Sequence, residues 1–350
     1  MSSAFVVGSH QLGKQYKIMG HEVAHVSSPV SLFHAFKSRT GRQKLKASLT
    51  RPFSESFKIY DDIPLVPFPY GYLESVDRIN DFIVMNYLKK IGFDQPDLIL
   101  MDQPAFVGVF KELQAKIKIY RPTDIYDHMH NGKHARFQLK TLEFCDGVIA
   151  TSQEVLSALD SKKTSKVVTN GVDISIFNSQ NKKQRSGAVY IGALDERFDF
   201  KAVSLLAKHD PDLEIDLFGP STEQVSSVLP PNCRYHGQIK YDEIPETLAR
   251  YQLALLPLNK HPANKGRSPM KLFEYLAAGT PVLSSYLTDF SKLDIKGLYT
   301  YQDLDSLVPT YEDMISDIPK LKQDDLTKAA AISSWESKAK EILTWCEFKL

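Results

Sequence analysis

Residues 253–286, LALLPLNKHPANKGRSPMKLFEYLAAGTPVLSSY, predict a strand, a helix and a second strand in succession. The apolar run Leu253–Leu258 is typical of a strand that is buried on both faces of a parallel sheet. The run at 281–286 predicts the next strand of the same sheet, with the helix as the connection between them. This stretch therefore favours an α/β fold.

The helix within this stretch has clear boundary residues. Ser268 suits the N-cap and Pro269 the first helical position, whereas Gly279 suits the C′ position and Pro281 prevents continuation. An apolar face that can pack on the sheet consists of Leu272, Phe273, Leu276 and Ala277.

Positive charge collects just before this helix. The cations are Lys260, Lys265, Arg267 and Lys271, and the first acid is Glu274. Because a helix N-terminus already carries about half a positive charge, cations there are mildly unfavourable unless an anion binds to them. We therefore predict an anion site at this position; a solvated loop whose lysines face water is the alternative.

Composition indicates an ordinary soluble protein of two domains. The chain has 350 residues, of which 43% are hydrophobic and 24% charged, and its net charge of +1 gives no reason to expect nucleic-acid binding. Its three cysteines have no metal or redox spacing, which favours a reducing compartment. We find neither a signal-peptide pattern nor an apolar stretch of ~18 residues, and we expect a cytoplasmic protein.

Strand-like and helical segments alternate through both halves of the sequence, which predicts parallel sheets. The polar, glycine-bounded segment after residue 170 indicates a linker between the two series. The second series begins with the strand-like run Ala188–Gly192, and a long helical pattern covers Asp325–Trp345.

Two patterns resemble metal sites, and we interpret both differently. The HExxH pattern at 21–25 needs a helix to bind zinc, but its valines and Pro29 favour a strand, on which the two histidines would lie ~13 Å apart. Asp303 and Asp305 lie in a polar region that predicts a helix start. We expect no resident metal and no cofactor.

Two acids follow the strand predicted at Ile117–Tyr120. In open α/β sheets functional groups gather beyond the carboxyl ends of strands, so Asp124 and Asp127 are candidates for a general base. Turn or helix-capping roles remain open for both residues.

A basic and partly apolar segment precedes these acids. No acid occurs between Glu22 and Glu55, and the cations that favour contact with anionic lipid or a pyrophosphate-linked acceptor are Lys37, Arg39, Arg42, Lys44 and Lys46. The alternative is a mobile solvated loop.

The order of elements and several motifs resemble those of GT-B glycosyltransferases over nearly the whole chain. The motifs are NGVD at 170–173, YIGALDERFDF at 190–200, DLFGP at 216–220, HGQI at 236–239 and SPMKLFEYLAAGTPVLSS at 268–285. Within that group, YRPTD at 120–124 and PMKLFEY at 269–275 are most similar to xanthan-type glucuronosyltransferases and teichuronic-acid glycosyltransferases.

The resemblance implies two Rossmann-like domains with parallel sheets that face each other across a cleft. We expect an acceptor domain at 1–174, a linker at 175–187, a nucleotide-sugar donor domain at 188–334, and a C-terminal helix at about 335–350 that returns to the first domain.

The resemblance also implies roles for particular residues. Met270 and Lys271 match the pair beside the donor diphosphate, Glu274 matches a ribose contact, and Asp124 matches the base. The further expected donor contacts are Gly192, Gly237, Arg197 and Arg267. For Glu274 and Arg197 a solvent-facing position is the alternative.

One departure bears on stereochemistry. Retaining members of a large related family carry a second glutamate at the place that Gly266 occupies here. Its absence favours an inverting reaction. We therefore predict a metal-independent transferase that moves a sugar from a UDP-sugar to a glycan, with a lipid-linked glycan as one candidate acceptor. Its predicted role is polysaccharide (exopolysaccharide) biosynthesis, and we expect peripheral contact with the membrane. A sugar-nucleotide 2-epimerase and a non-catalytic nucleotide- or glycan-binding homologue remain alternatives.

Overall fold

The chain divides into two compact units, which we describe separately. In this computed structural model the first unit comprises Met1–Thr169 and Trp335–Leu350, and the second comprises Asn170–Ser334. The residues that the structure describes are 8–27, 30–31, 59–62, 65–70, 74–126, 135–177, 185–221, 225, 229–286 and 294–349.

The first unit is built from parallel strands and flanking helices. Its described strands are β1 (Val23–Val26), β2 (Val30–Ser31), β3 (Ile59–Asp62), β4 (Leu65–Val66), β5 (Leu98–Met101), β6 (Ile117–Tyr120), β7 (Gly147–Ala150) and β8 (Thr164–Val167). The helices of its N-terminal part are α1 (Gly8–Ile18), α2 (Glu74–Lys90), α3 (Val107–Glu112), α4 (Ala135–Phe144) and α5 (Gln153–Ala158).

Parallel pairing brings the carboxyl ends of strands in this unit to one edge. β5, β6, β7 and β8 form a four-stranded sheet in that order, and each adjacent pair is parallel. The pairs β1 with β3 and β2 with β4 are also parallel. The residues that follow β5, β6 and β7 therefore emerge side by side.

The second unit contains a six-stranded sheet in the order β11-β10-β9-β12-β13-β14. These strands are β9 (Ala188–Ile191), β10 (Ile215–Phe218), β11 (Cys233–Gly237), β12 (Leu253–Leu256), β13 (Val282–Ser285) and β14 (Leu298–Tyr301). The helices are α6 (Ile174–Phe177), α7 (Phe200–His209), α8 (Ile244–Leu248), α9 (Met270–Ala277), α10 (Leu304–Asp317) and α11 (Gln323–Ala331). All paired strands are parallel, as predicted.

Helix α9 ends where the sequence predicts but begins later. Gly279 has φ +72° at the C′ position, where glycine avoids the steric penalty of other residues. At the other end Pro269 is the N-cap and Met270 the first helical residue. The expected N-cap, Ser268, instead accepts a hydrogen bond on its hydroxyl from the Asn170 amide at 2.9 Å, so its side chain serves another segment.

The C-terminal helix belongs to the first unit. Helix α12 (Trp335–Lys349) packs against α1, and Trp335 and Ile342 are buried on its inner face. An ion pair of 3.1 Å between Lys166 and Glu341 joins it to β8. The predicted α/β architecture of two parallel-sheet units with a returning C-terminal helix is confirmed.

The segment expected to be a linker, 175–187, differs from the structure at both ends. Residues 174–177 form helix α6, whose Phe177 is fully buried in the core of the second unit. The division between the units falls after Thr169, and Arg185 donates hydrogen bonds to the carbonyl groups of Ala278 and Gly279.

The two metal-like patterns have structural roles. His25 lies on β1 rather than on a helix, so the HExxH spacing cannot place both imidazoles on one helical face. Asp303 caps α10 by accepting a hydrogen bond from the Ser306 amide at 3.0 Å.

Candidate functional site

Three glycines bring backbone together at the carboxyl ends of β9, β10 and β11. The Gly192 amide donates to the Phe218 carbonyl at 2.8 Å, and the Gly219 amide donates to the Gly237 carbonyl at 2.7 Å. A Cβ atom on Gly219 would lie 1.8 Å from the Gly192 carbonyl oxygen, so only glycine fits. Gly237 has φ +75°, a conformation that favours glycine. The sequence predicted roles for Gly192 and Gly237 but not for Gly219.

Lys271 lies directly over Gly192. A Cβ atom on Gly192 would be 2.8 Å from Lys271 Cε, so the lysine side chain occupies the space that this glycine leaves open. Burial lowers the pKa of Lys271, Glu274 opposes that shift, and Arg267 and Arg197 add to it. The position of Lys271 therefore combines poor solvation with nearby positive charge, which a bound anion would relieve.

Helix α9 is fixed to β9 one turn beyond Lys271. The hydroxyl of Tyr275 accepts a hydrogen bond from the Ile191 amide at 2.9 Å and donates to the Ile191 carbonyl at 3.2 Å. Tyr275 is fully buried. This contact holds the first turn of α9 at the end of β9, where the first amide groups of a helix have no intrahelical partner.

Glu274 is buried beside Lys271 and is only 6% exposed, so the alternative that it faces solvent is wrong. Burial raises the pKa of Glu274, while Lys271 and a hydrogen bond from Tyr241 lower it. That hydrogen bond joins the Tyr241 hydroxyl to Glu274 Oε1 at 3.2 Å. Tyr241, which the sequence analysis did not identify, thus orients this carboxyl group.

Arg197 is partly buried and paired with Asp195. Its Nε lies 3.0 and 3.1 Å from the two carboxylate oxygens, and its Nη2 also contacts Asp195 Oδ2. Burial alone would raise the pKa of Asp195, but the hydrogen bonds from Arg197 lower it overall. Arg197 therefore brings its own counter-ion to the cluster.

Arg267 lies near the same groups. Burial raises the pKa of Tyr190, and the positive charge of Arg267 opposes that shift. The same charge helps to lower the pKa of Asp195. The Nη1 atom of Arg267 lies 3.5 Å from Asn264 Oδ1. Of the other two cations, Lys260 and Lys265 are exposed. Of the four cations expected at the anion site, the structure therefore places two there, Arg267 before α9 and Lys271 in its first turn. Arg197, from the loop after β9, is the third cation of the cluster.

Two asparagines hold the loops that carry these side chains. Asn259 Nδ2 donates to the Glu196 carbonyl at 2.7 Å, and Asn264 Nδ2 donates to the Arg197 carbonyl at 2.9 Å. The loop after β9 is thereby joined to the loop after β12. The sequence did not identify either asparagine, because their partners are more than 60 residues away.

Met270 is the first residue of α9 and is half-buried. The second unit thus carries Met270, Lys271, Glu274, Arg267, Arg197, Gly192 and Gly237 at or after the ends of β9, β11 and β12 and at the start of α9.

In the first unit, Asp124 follows β6 and accepts a hydrogen bond from the Thr123 hydroxyl at 2.9 Å. Asp102 follows the neighbouring strand β5 and forms an ion pair of 2.8 Å with Arg121, whose side chain is 1% exposed. The sequence analysis identified Asp124 but missed Asp102 and Arg121. Asp127 lies outside the described residues.

The predicted acceptor or membrane surface also lies outside the described residues, since Lys37, Arg39, Arg42, Lys44 and Lys46 all fall between 32 and 58. Within the part of the chain that is described, no helix is both long and apolar enough to cross a membrane. In that same part we find no group of three or more His, Cys, Asp or Glu residues placed to hold a metal ion.

Comparison with known proteins supports the fold described above. The sequence model of a family described as glycosyl transferase-like matches residues 200–340. Among solved structures, HepE of Anabaena in complex with UDP-glucose superposes with a TM-score of 0.67 at 17% identity, covering 98% of this chain and 96% of that one. Sucrose-phosphate synthase of Thermosynechococcus elongatus gives a TM-score of 0.67 at 15% identity, covering 96% and 90%.

These likenesses establish the GT-B fold and confirm the resemblance predicted from the sequence, and the glycosyl transferase-like family model matches residues 200–340. A more specific relative is TuaH of Bacillus subtilis (strain 168), assigned as a teichuronic acid biosynthesis glycosyltransferase. It is 26% identical over 187 residues, and this match spans 48% of the present chain and 47% of TuaH, about half the length of each.

Proposed function

We propose that this protein transfers a sugar from a UDP-sugar to a glycan acceptor in polysaccharide biosynthesis. The observation that carries the proposal is the position of Lys271, a poorly solvated cation over Gly192 at the start of α9. HepE, a fold relative, has been solved with UDP-glucose, and TuaH is assigned to polymer biosynthesis. The HepE complex supports a nucleotide-sugar donor, and the assignment of TuaH supports a glycan product.

Lys271 and Arg267 would neutralise the charge that develops on the leaving UDP. Preorganised cations and helix-terminal amides stabilise such a leaving group most strongly where water is partly excluded, and Lys271 is partly buried. In this proposal side chains neutralise the leaving diphosphate, as a metal ion does in other transferases. The proposed reaction therefore needs no resident metal or cofactor. Glu274, held by Tyr241, would contact the nucleotide ribose.

Asp124 would accept the proton of the attacking acceptor hydroxyl. It follows a strand end, and its carboxylate is fixed by the Thr123 hydroxyl at 2.9 Å. In-line attack assisted by one base inverts the anomeric carbon, and the glycine at position 266, where retaining relatives carry an acid, is consistent with inversion. Asp127 is the second candidate for this role.

A lipid-linked acceptor would bring the protein to a membrane surface. The cations Lys37, Arg39, Arg42, Lys44 and Lys46 are interleaved in the sequence with large apolar residues, a pattern typical of contact with anionic lipid. We expect co-sedimentation with phosphatidylglycerol vesicles and its loss when these five residues are replaced by glutamine. Equal binding of both forms would contradict this part of the proposal.

The anion site is tested by isothermal titration of UDP into the wild type and Lys271→Met. Removing one partner of a desolvated charge pair typically costs about 2–5 kcal/mol, so UDP affinity should fall by ~30-fold or more. Lys208→Met, which removes an exposed lysine in the last turn of α7, is the control and should bind like the wild type. A Lys271→Met variant with unchanged affinity would remove the basis of the proposal.

Turnover is tested separately with Asp124→Asn. We expect UDP binding to persist while transfer to a glycan acceptor falls by at least ~100-fold, the usual contribution of a general base. Wild-type turnover in this variant would move the base to Asp127. Tight UDP binding by the wild type without transfer to any acceptor would instead indicate a non-catalytic binding protein, and conversion of the UDP-sugar alone would indicate an epimerase.

A further inference from the structure

The loop segment 121–126, which carries Asp124, is attached at both of its ends to a single residue, Asp102. At its start, Arg121 Nη1 lies 2.8 Å from Asp102 Oδ2. At its end, the Tyr126 hydroxyl donates to the main-chain carbonyl of Asp102 at 2.8 Å. Asp102 follows β5 and the loop follows β6, so this clamp depends on the parallel pairing of the two strands.

The middle of the loop is held by a different strand end. The Thr151 amide donates to the Pro122 carbonyl at 3.3 Å, and the Thr151 hydroxyl donates to the Thr123 carbonyl at 3.2 Å. Thr151 is fully buried just after β7. With its start, middle and end attached, the loop has little freedom to move Asp124.

The ion pair at the start of the loop is buried. The side chain of Arg121 is 1% exposed and that of Asp102 is 17% exposed. Burial raises the pKa of Asp102, Arg121 and His25 lower it, and Asp124 raises it further. Asp102 and Asp124 are therefore close enough for the charge of one to act on the other.

Several other groups face this pair. The titratable and charged groups around Asp102 are Arg121 and Asp124 beyond β6, His25 on β1, Tyr16 on α1, Tyr120 on β6 and Tyr126 in the loop. The three tyrosines are buried and their pKa values are raised chiefly by burial, and the charges that act on Asp102 come from Arg121, His25 and Asp124.

We propose that Asp102 is a positioning residue for the reaction: through Arg121 and Tyr126 it fixes the loop that presents Asp124 to the acceptor hydroxyl, and its charge offsets Arg121 beside that base. The inference rests on the proposed function in that Asp124 is the base. It assigns to Asp102 and Tyr126 an effect on turnover and none on donor binding, because the donor groups lie in the other unit.

The test compares Asp102→Asn and Tyr126→Phe with the wild type in a transfer assay. A misplacement of about 1 Å at a reacting group can lower the rate ~100-fold, so we expect the kcat of Asp102→Asn to fall ~10- to 100-fold. Tyr126→Phe loses one hydrogen bond and should lose ~2- to 10-fold. The KM for the UDP-sugar and the affinity for UDP should stay within about twofold of the wild type in both variants.

The pH profile distinguishes positioning from general damage. In Asp102→Asn the negative charge that acts on Asp124 is removed, which favours the ionised base, so the acid limb of kcat should move to lower pH. In Tyr126→Phe no charged group is changed, so the acid limb of the kcat profile should stay at the wild-type pH. If Asp102→Asn does not fold, Tyr126→Phe still tests the clamp through kcat.

A matched control lies at the opposite end of the same two strands. Asp97, before β5, pairs with Lys116, before β6, at 2.6 Å, and both side chains are more than 80% exposed. Asp97→Asn should have the wild-type kcat and pH profile, since exposed ion pairs contribute little.

The outcomes separate this inference from the proposed function. Wild-type kcat and pH profile in both Asp102→Asn and Tyr126→Phe, with Asp124→Asn inactive, would overturn the inference and leave the function standing. A wild type that transfers no sugar would overturn the function itself. Loss of UDP affinity in Asp102→Asn would also contradict the inference, because the clamp would then act on more than the base.

Discussion

Replacing Gly192 by alanine should weaken nucleotide binding without removing any polar group. The added Cβ would lie 2.4 Å from the Tyr190 hydroxyl and 2.8 Å from Lys271 Cε, both well inside normal contact distance. The tyrosine ring is the less able to move, because it packs on Phe198 with ring centroids 4.7 Å apart and its hydroxyl donates to the Ala193 carbonyl at 2.9 Å. Both side chains must therefore shift, and the flexible end of Lys271 is displaced more easily than the Tyr190 ring.

The expected magnitude has two parts. Overpacking a filled site costs about 1–3 kcal/mol of folding stability. A lost hydrogen bond to a charged group costs about 1.5–3 kcal/mol, which corresponds to UDP binding that is ~10- to 100-fold weaker. Urea unfolding measures the first part and isothermal titration of UDP the second.

A double-variant cycle tests whether the loss passes through Lys271. If it does, Gly192→Ala combined with Lys271→Met should bind UDP no more weakly than Lys271→Met alone. Gly13→Ala is the control, since a Cβ there would meet Val23 Cγ1 at an ordinary 3.5 Å and should leave binding unchanged. UDP affinity within twofold of the wild type in Gly192→Ala would refute the assignment of Lys271 to the nucleotide.

Two further predictions concern protons. Burial raises the pKa of Asp81 to about 6, above its usual 3.8, so the folded state loses stability as the pH rises from 3.8 to about 6. The variant Asp81→Asn keeps an acceptor for the Tyr70 hydroxyl, which lies 3.0 Å from Asp81 Oδ1. In urea unfolding we expect this variant to be more stable than the wild type by ~1–2 kcal/mol at pH 8, and the gain to be lost near pH 4. Burial also raises the pKa of Glu274 and lowers that of Lys271, so binding of anionic UDP should take up protons; titration enthalpies that do not change between buffers of different ionisation enthalpy would contradict this.

Local patterns in the sequence were sufficient to predict the fold. The apolar runs of β9 and β12 and the glycine after α9 determine local structure through burial and backbone conformation, and the structure places them as expected. The start of α9 was predicted one residue too early, because the hydroxyl of Ser268 has a partner in Asn170 that no local rule identifies. Strand β14 was missed, because its sequence LYTY is short and only partly buried.

The residues alone, without the resemblance, predicted the anion site where positive charge is concentrated along the chain. Lys271 and Arg267 are four residues apart and stood out as cations before a helix. Asp102 and Arg121 are 19 residues apart, and their pairing follows from the parallel register of β5 with β6, in which Met101 pairs with Tyr120. Because of that register, Asp102 and Arg121, the residues that directly follow the two strands, lie side by side. Neither the composition of the chain nor the spacing of its residues reveals this pairing.

The charges around the start of α9 explain why so many ionisable groups can be buried together. Lys271, Arg267 and Arg197 face two carboxyl groups, Asp195 and Glu274, so that one positive charge is left over when both acids are ionised. A larger excess would raise the desolvation penalty of the empty site, whereas full neutrality would give a diphosphate, with its two negative charges, no net attraction. Because Arg197 is held by Asp195 through several hydrogen bonds, Arg267 and the Lys271–Glu274 pair are the groups that we expect to respond to a bound anion. Protonation of Glu274 on anion binding would remove one negative charge from this group, which favours the donor.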